Sequence, residues 1–126
     1  MAITQIVIQT PSNEVLFTDS ILGNAVDAVK ASSCKIFYVT LDNSLNVAAS
    51  YFKAFNLASA SVTLGTTAPD MVILVPASSI ITVPFFTGAA PGLTFSTALS
   101  IACVTAAGTA GTTSPSSAVT CTISYV

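Results

Sequence analysis

Near the end of the chain Val119, Cys121, Ile123 and Tyr125 alternate with Thr120, Thr122 and Ser124. An apolar period of two buries one face only when the backbone is extended, so this stretch reads as a half-buried β-strand. The same rhythm recurs upstream. In Lys35 to Leu41, Phe37, Val39 and Leu41 take one face and Ile36, Tyr38 and Thr40 the other; Leu99, Ile101 and Cys103 alternate with Ser100 and Ala102. Ile3 to Gln9, Glu14 to Thr18, Val47 to Asn56, Met71 to Val75 and Ile80 to Phe85 add further extended pieces. Between them lie Thr10-Pro11-Ser12-Asn13, Asp42-Asn43-Ser44, a Ser/Ala/Thr loop around Gly65, Pro76-Ala77-Ser78-Ser79, Gly88 to Gly92, and a small-residue stretch from Ala106 to Ser117. Asp19 to Lys30 stays open between a short helix and extended structure, since Ile21, Leu22, Ala25, Val26 and Val29 have helical spacing but Gly23 interrupts them.

Seven or eight short strands punctuated in this way predict an all-β fold: an antiparallel β-sandwich, jelly-roll-like, with an extended N-terminal arm. At 126 residues the chain makes one such domain. Residues 1–30 are expected to be an N-terminal arm or accessory strands, and 31–126 the sandwich. The expected core is Phe37, Val39, Leu41, Tyr51, Phe55, Val72, Leu74, Ile81, Val83, Leu99, Ile101, Val119, Ile123 and Tyr125. Cys103 and Cys121 are expected close together inside and reduced. They would meet either on a hairpin ladder, with Leu99 facing Tyr125 and Ile101 facing Ile123, or across the core from opposite sheets.

Charge narrows the chemistry. Five acids and three lysines are the whole charged complement, 6% of the chain where about a quarter is usual, and His, Arg and Trp are absent. After Asp70 no charged side chain follows. Three scattered lysines make no basic patch for nucleic acid. A Ser or Cys nucleophile lacks a His base, the carboxylates are far apart in sequence, and Cys34, Cys103 and Cys121 show no metal-type spacing, so no enzyme activity, cofactor or metal is expected. The apolar run from Met71 to Phe86 is cut by Pro76 and Pro84, so no membrane span is expected either. Asp42-Asn43-Ser44 reads as an Asx turn in preference to a calcium loop, and Tyr38, Tyr51 and Tyr125 as packing residues in preference to a sugar platform. What remains is a surface of Ser and Thr, 33 in all, that does little to oppose association.

From Val29 onward the chain resembles a family of small virion structural proteins of tailed bacteriophages. The likeness rests on Asn43, Ala48, Ala49, Tyr51, Phe52 and Lys53; on Thr67-Ala68-Pro69; on Val75, Pro76 and Ala77; on Phe86 and Gly88; and on Gly92, Leu93, Phe95, Ser96, Thr97, Leu99, Ser100 and Ile101. Ser78-Ser79 stands where that family usually has Gly-Gly, and the acids often found in its late loop are missing. The resemblance implies a virion component, foremost a capsid decoration (cement) protein, a homotrimer bound to the major capsid protein on the capsid surface and made in a host cytoplasm. A tail-fibre or neck component is the alternative and a carbohydrate-binding module a distant one. Ile3, Ile6, Ile8, Val15, Leu16 and Phe17 are the candidate capsid-attachment arm, because they are more apolar than a loose tail tolerates.

Overall fold

The computed structural model describes residues 13–87 and 90–126. The chain forms a β-sandwich of two antiparallel sheets. One sheet runs in the order β1 (Val15–Leu22), β11 (Val119–Tyr125), β3 (Cys34–Asp42), β6 (Ile80–Pro84), with β9 (Leu93–Phe95) pairing the start of β3. The other runs β2 (Asp27–Lys30), β10 (Leu99–Val104), β4 (Ser50–Phe55), β5 (Met71–Val75). A two-stranded ribbon, β7 (Phe86–Thr87) with β8 (Ala90–Pro91), and a 3-10 turn at Ser59–Ser61 complete the described elements.

Asp19 to Lys30 is extended, not helical: the end of β1, a bend and β2. The bend is held from outside, because Asn24 N–H donates to Ser114 Oγ and Asn24 Nδ2 to Thr112 O. Gly23 is required there, since a Cβ would come 2.6 Å from Ser114 Oγ. Residues 15–22 and 27–30 are therefore edge strands, one in each sheet. Val15, Leu16 and Phe17 begin β1, and Phe17 faces Ile123 of β11 and packs on the core. Ile3, Ile6 and Ile8 lie outside the described residues.

The core gathers Leu22, Ile36, Val39, Leu41, Phe52, Ala54, Val75, Leu99, Ile101, Val119 and Ile123 with all three cysteines. Of the expected set, Val39, Leu41, Leu99, Ile101, Val119 and Ile123 are buried in it, and Ile81, Val83 and Tyr125 pack against it half-buried.

Three strands depart from the expected phase. In β3 the pairing with β11 slips between Ser124 and Tyr125, so Tyr125 lies opposite Ile36 and Ser124 opposite Tyr38. That bulge places Ile36 and Val39 on the same side and turns Phe37 away from the core. In β4 the inward residues are Phe52 and Ala54, not Tyr51 and Phe55. Phe55 is buried nonetheless, because loops cover the outer face of this sheet as well. In β5 the register follows β4, setting Ile73 against Phe52 and Met71 against Ala54, so Val72 and Leu74 point outward and are exposed.

The last two long strands form no hairpin ladder. The connection 105–118 carries the chain from one sheet to the other: β10 pairs β2 and β4, while β11 pairs β1 and β3. Cys103 and Cys121 meet across the interior as free thiols, near enough for Cys103 to act on the ionisation of Cys121.

Candidate interaction surface

Reactive chemistry finds little support in the described interior. Burial pushes the Cys103 thiol up to about 12 and raises Cys121 and Cys34 as well, so all three stay protonated and behave as small apolar groups. Among the described residues no three His, Cys, Asp or Glu side chains gather where they could hold a metal ion. Asp42 closes an Asx turn, its Oδ1 accepting Ser44 N–H at 2.9 Å and Ser44 Oγ–H at 2.5 Å, and these bonds hold its carboxyl below the usual range. Asp70 accepts the Asn56 N–H at 2.6 Å. The tyrosines share no surface: Tyr38 lies on the outer face of the β3 sheet, Tyr51 on the outer face of the β4 sheet, and Tyr125 packs on the core.

The structure does build a rigid end to the sandwich. Asn43 is fully buried at the close of β3. Its Nδ2 donates to Ala48 O at 3.1 Å, Pro76 O at 3.0 Å and Val75 O at 3.3 Å. Its Oδ1 accepts from Asn46 Nδ2 at 2.8 Å and Ser50 Oγ at 2.9 Å. Asn46 in turn joins the 105–118 connection, donating to Ser117 O at 2.9 Å and accepting Ser117 N–H at 2.8 Å. Its carbonyl receives Ser78 N–H at 2.8 Å. Two buried amides thus tie together three loops, and such a network is stable because every member finds a partner. Ser78 pays a conformational cost here: its φ is 54°, the left-handed region that favours glycine, at the place where the resemblance expects glycine.

What this scaffold presents is apolar. Leu45 is 77% and Val47 93% exposed on the loop that Asn43 and Asn46 hold still. Ile21 by the neighbouring bend and Ile80 at the start of β6 are also exposed. Along the far edges Val72, Leu74 and Phe86 stand in solvent. The outer face of the β1–β11–β3–β6 sheet carries a threonine row across all four strands, with Thr18 opposite Thr122, Thr122 opposite Thr40, and Thr40 opposite Thr82. Thr40 and Thr82 share a hydroxyl bond of 2.9 Å. Among the described residues a recess of about 40 Å³ beside Asn46, Ala48, Ser50, Thr105 and Pro115 has room for little more than a solvent molecule.

Over β10 and β4 the outer face of the other sheet is covered by loops. Lys53 is fully enclosed on the outer side of β4, and its Nζ donates to Gly108 O at 2.6 Å and to Gly111 O at 3.4 Å. Burial lowers its pKa. Ser100 Oγ donates to Leu57 O, fixing the 57–70 connection on the same face. Gly65 reaches across to the other loop, where a Cβ would lie 2.7 Å from Thr112 Cγ2.

The sequence reading singled out Val15, Leu16 and Phe17 but missed Leu45, and it began a strand at Val47 where β4 starts only at Ser50. The signal was Asn-Ser-Leu-Asn-Val itself, a turn-forming cluster whose irregular backbone runs on to residue 49 and leaves both aliphatic residues outside the strand. No family model, curated protein or solved structure matches the chain.

Proposed function

We propose that this protein is a structural component of a bacteriophage virion, foremost a capsid decoration protein that binds across junctions of the major capsid protein. The observation that carries the reading is a rigid, sparsely charged sandwich that displays Leu45 and Val47 on a loop immobilised from beneath. Exposed aliphatic side chains on a fixed support lose little conformational freedom when a partner covers them, which favours docking. The strand orders β1-β11-β3-β6 and β2-β10-β4-β5, with the chain crossing repeatedly between sheets, support a jelly-roll reading of the sandwich, an architecture that viral capsid and lectin domains share. Fold likeness alone is an analogy; the sparsely charged surface and the motifs from Asn43 to Ile101 favour the capsid over the lectin. The scattered tyrosines also weigh against a sugar-binding platform.

In this reading the work is mechanical. Subunits associate as homotrimers through apolar edges such as Val72 and Leu74, and the trimers add buried area across capsomer junctions, opposing internal pressure. No catalysis, cofactor, nucleic acid or membrane enters the mechanism. Residues 1–12, with Ile3, Ile6 and Ile8, are the part of the proposed attachment arm that lies outside the described strands; Val15 and Leu16 continue it along an exposed edge.

Copy number in purified virions tests the reading. Quantified against the major capsid protein, a decoration protein is present in hundreds of copies. Tens or fewer would move the protein to the tail, and absence from the virion would end the proposal.

A further inference from the structure

Asp19 and Asp27 occupy inward positions on edge strands of opposite sheets. Asp19 lies opposite Cys121 of β11, and Asp27 opposite Ile101 of β10. Cys121 and Ile101 both point into the core, and directly opposed residues of a ladder share a face. The two carboxyls therefore face each other across the gap between the sheets, on the side where β1 and β2 close the sandwich. They lie within hydrogen-bonding reach of one another. Both residues are half-buried, and both strands lie at sheet edges, each with one neighbour among the described strands; β2 is four residues long, and the pairing shifts in both, after Asp19 in β1 and opposite Leu99 in β2.

We propose that Asp19 and Asp27 form a proton-operated clasp: with one proton shared between them the carboxyls join β1 to β2, and with both ionised they repel and loosen that edge of the sandwich.

Two carboxylates at such a distance cannot both stay charged cheaply, and a shared proton turns repulsion into a short, charge-assisted bond. Asp19 Oδ1 accepts the Ile21 N–H at 2.8 Å, which leaves its second oxygen for Asp27, and no cation stands among the other groups named around the pair. Cys121 and Cys103 come from β11 and β10 as protonated thiols, Ile101 is apolar, and the charge of Lys30, further along β2, acts on Cys34. Burial first, then the bond to Asp19 and its charge, raise Asp27 to about 6 from an ordinary value of 3.8.

The sign follows from proton counting. Between pH 4 and pH 6 the folded chain holds a proton that the unfolded chain has released, so this pair's contribution to stability falls as pH rises through that window and is flat above it. The full shift corresponds to on the order of a hundredfold in the folding equilibrium, and solvent at the rim reduces it to between about tenfold and a hundredfold. Above pH 7 the edge stays paired but opens more readily, exposing Phe17 and the Cys121 thiol behind it.

The test uses the full chain and follows the 13C resonance of the Asp27 carboxyl from pH 3.5 to 8, with amide exchange of Phe17 to Leu22 at pH 5 and at pH 7.5. The clasp requires a midpoint near 6 and faster intrinsic-rate-corrected exchange in β1 at pH 7.5. Asp27→Asn supplies a donor that does not titrate, so it should abolish the pH dependence of β1 exchange; Asp19→Asn should do the same from the other strand. If one variant fails to fold, the other and the wild-type titration still decide. An Asp27 midpoint near 4, or β1 exchange that is the same at both pH values, overturns the proposal.

Discussion

Lys53 is a cation enclosed without a carboxylate, held by the carbonyls of Gly108 and Gly111. Its lowered pKa means that the folded chain sheds this proton before the unfolded chain does, so its contribution to stability grows as pH rises from the lowered value towards 10.5. Lys53→Met keeps the aliphatic volume and removes the charge; urea titrations at pH 8 and pH 10 should show wild type gaining on the variant at the higher pH. Asn43 behaves oppositely. Asn43→Ala strands the Oδ1 partners on Asn46 and Ser50 and leaves three carbonyls short of a donor, and should cost about 2–4 kcal/mol in denaturant unfolding, since each buried orphan costs about 1–3 kcal/mol. Ser78→Gly relieves the left-handed φ at the loss of a 3.3 Å hydroxyl contact, and should raise stability by about 1 kcal/mol. Only part of this was legible in the sequence. Turn residues marked Asn43 and Ser78 as a bend, but which amide would be buried depended on loops 30 and 70 residues away.

At the scale of strands, legibility followed how differently the two faces are treated. β11 has a wet outer face, and its alternation places Val119, Cys121 and Ile123 inside as read. β5 is Met-Val-Ile-Leu-Val, apolar in both phases, so periodicity alone carries no choice, and the register with β4 decides it. β4 misled for a related reason: loops bury its outer face, so Phe55 and Lys53 are as hidden as Phe52. A pair of truncations separates these faces. Phe52→Ala should cost about 3–5 kcal/mol through the cavity it leaves, whereas Leu74→Ala on the exposed edge should stay within about 1 kcal/mol. If Leu74 belongs to a contact between copies, the second substitution should instead lower the sedimentation coefficient at micromolar concentration. In β3 no sequence rule announces the bulge, because Ile36 and Phe37 fit either face equally well.

For the whole molecule the sandwich and its single core were readable from strand spacing, while the assignment of strands to sheets was not. Two strands adjacent in sequence suggest a hairpin by default, yet β10 and β11 stand in different layers because residues 105–118 are long enough to cross the end of the sandwich. The same arrangement revises the N-terminal boundary. β1 covers β11, and removing residues 1–18 would strip half of that edge, whereas removing residues 1–12 spares every described strand. In the capsid reading the shorter truncation should weaken attachment, read by co-sedimentation with capsids.

β11 lies between β1 and β3, yet a ribosome releases it after every other described strand. Until then β1 and β3 wait on either side of an empty slot, their backbone groups unpaired and their apolar faces open. The nascent chain cannot close its sandwich in stages from the N-terminus, and pairing across about a hundred residues makes closure slow. Crowded synthesis would expose these waiting edges to neighbouring chains, where strand-to-strand pairing leads to aggregates. Refolding from urea should accordingly proceed in milliseconds to seconds, with a yield that falls as protein concentration rises.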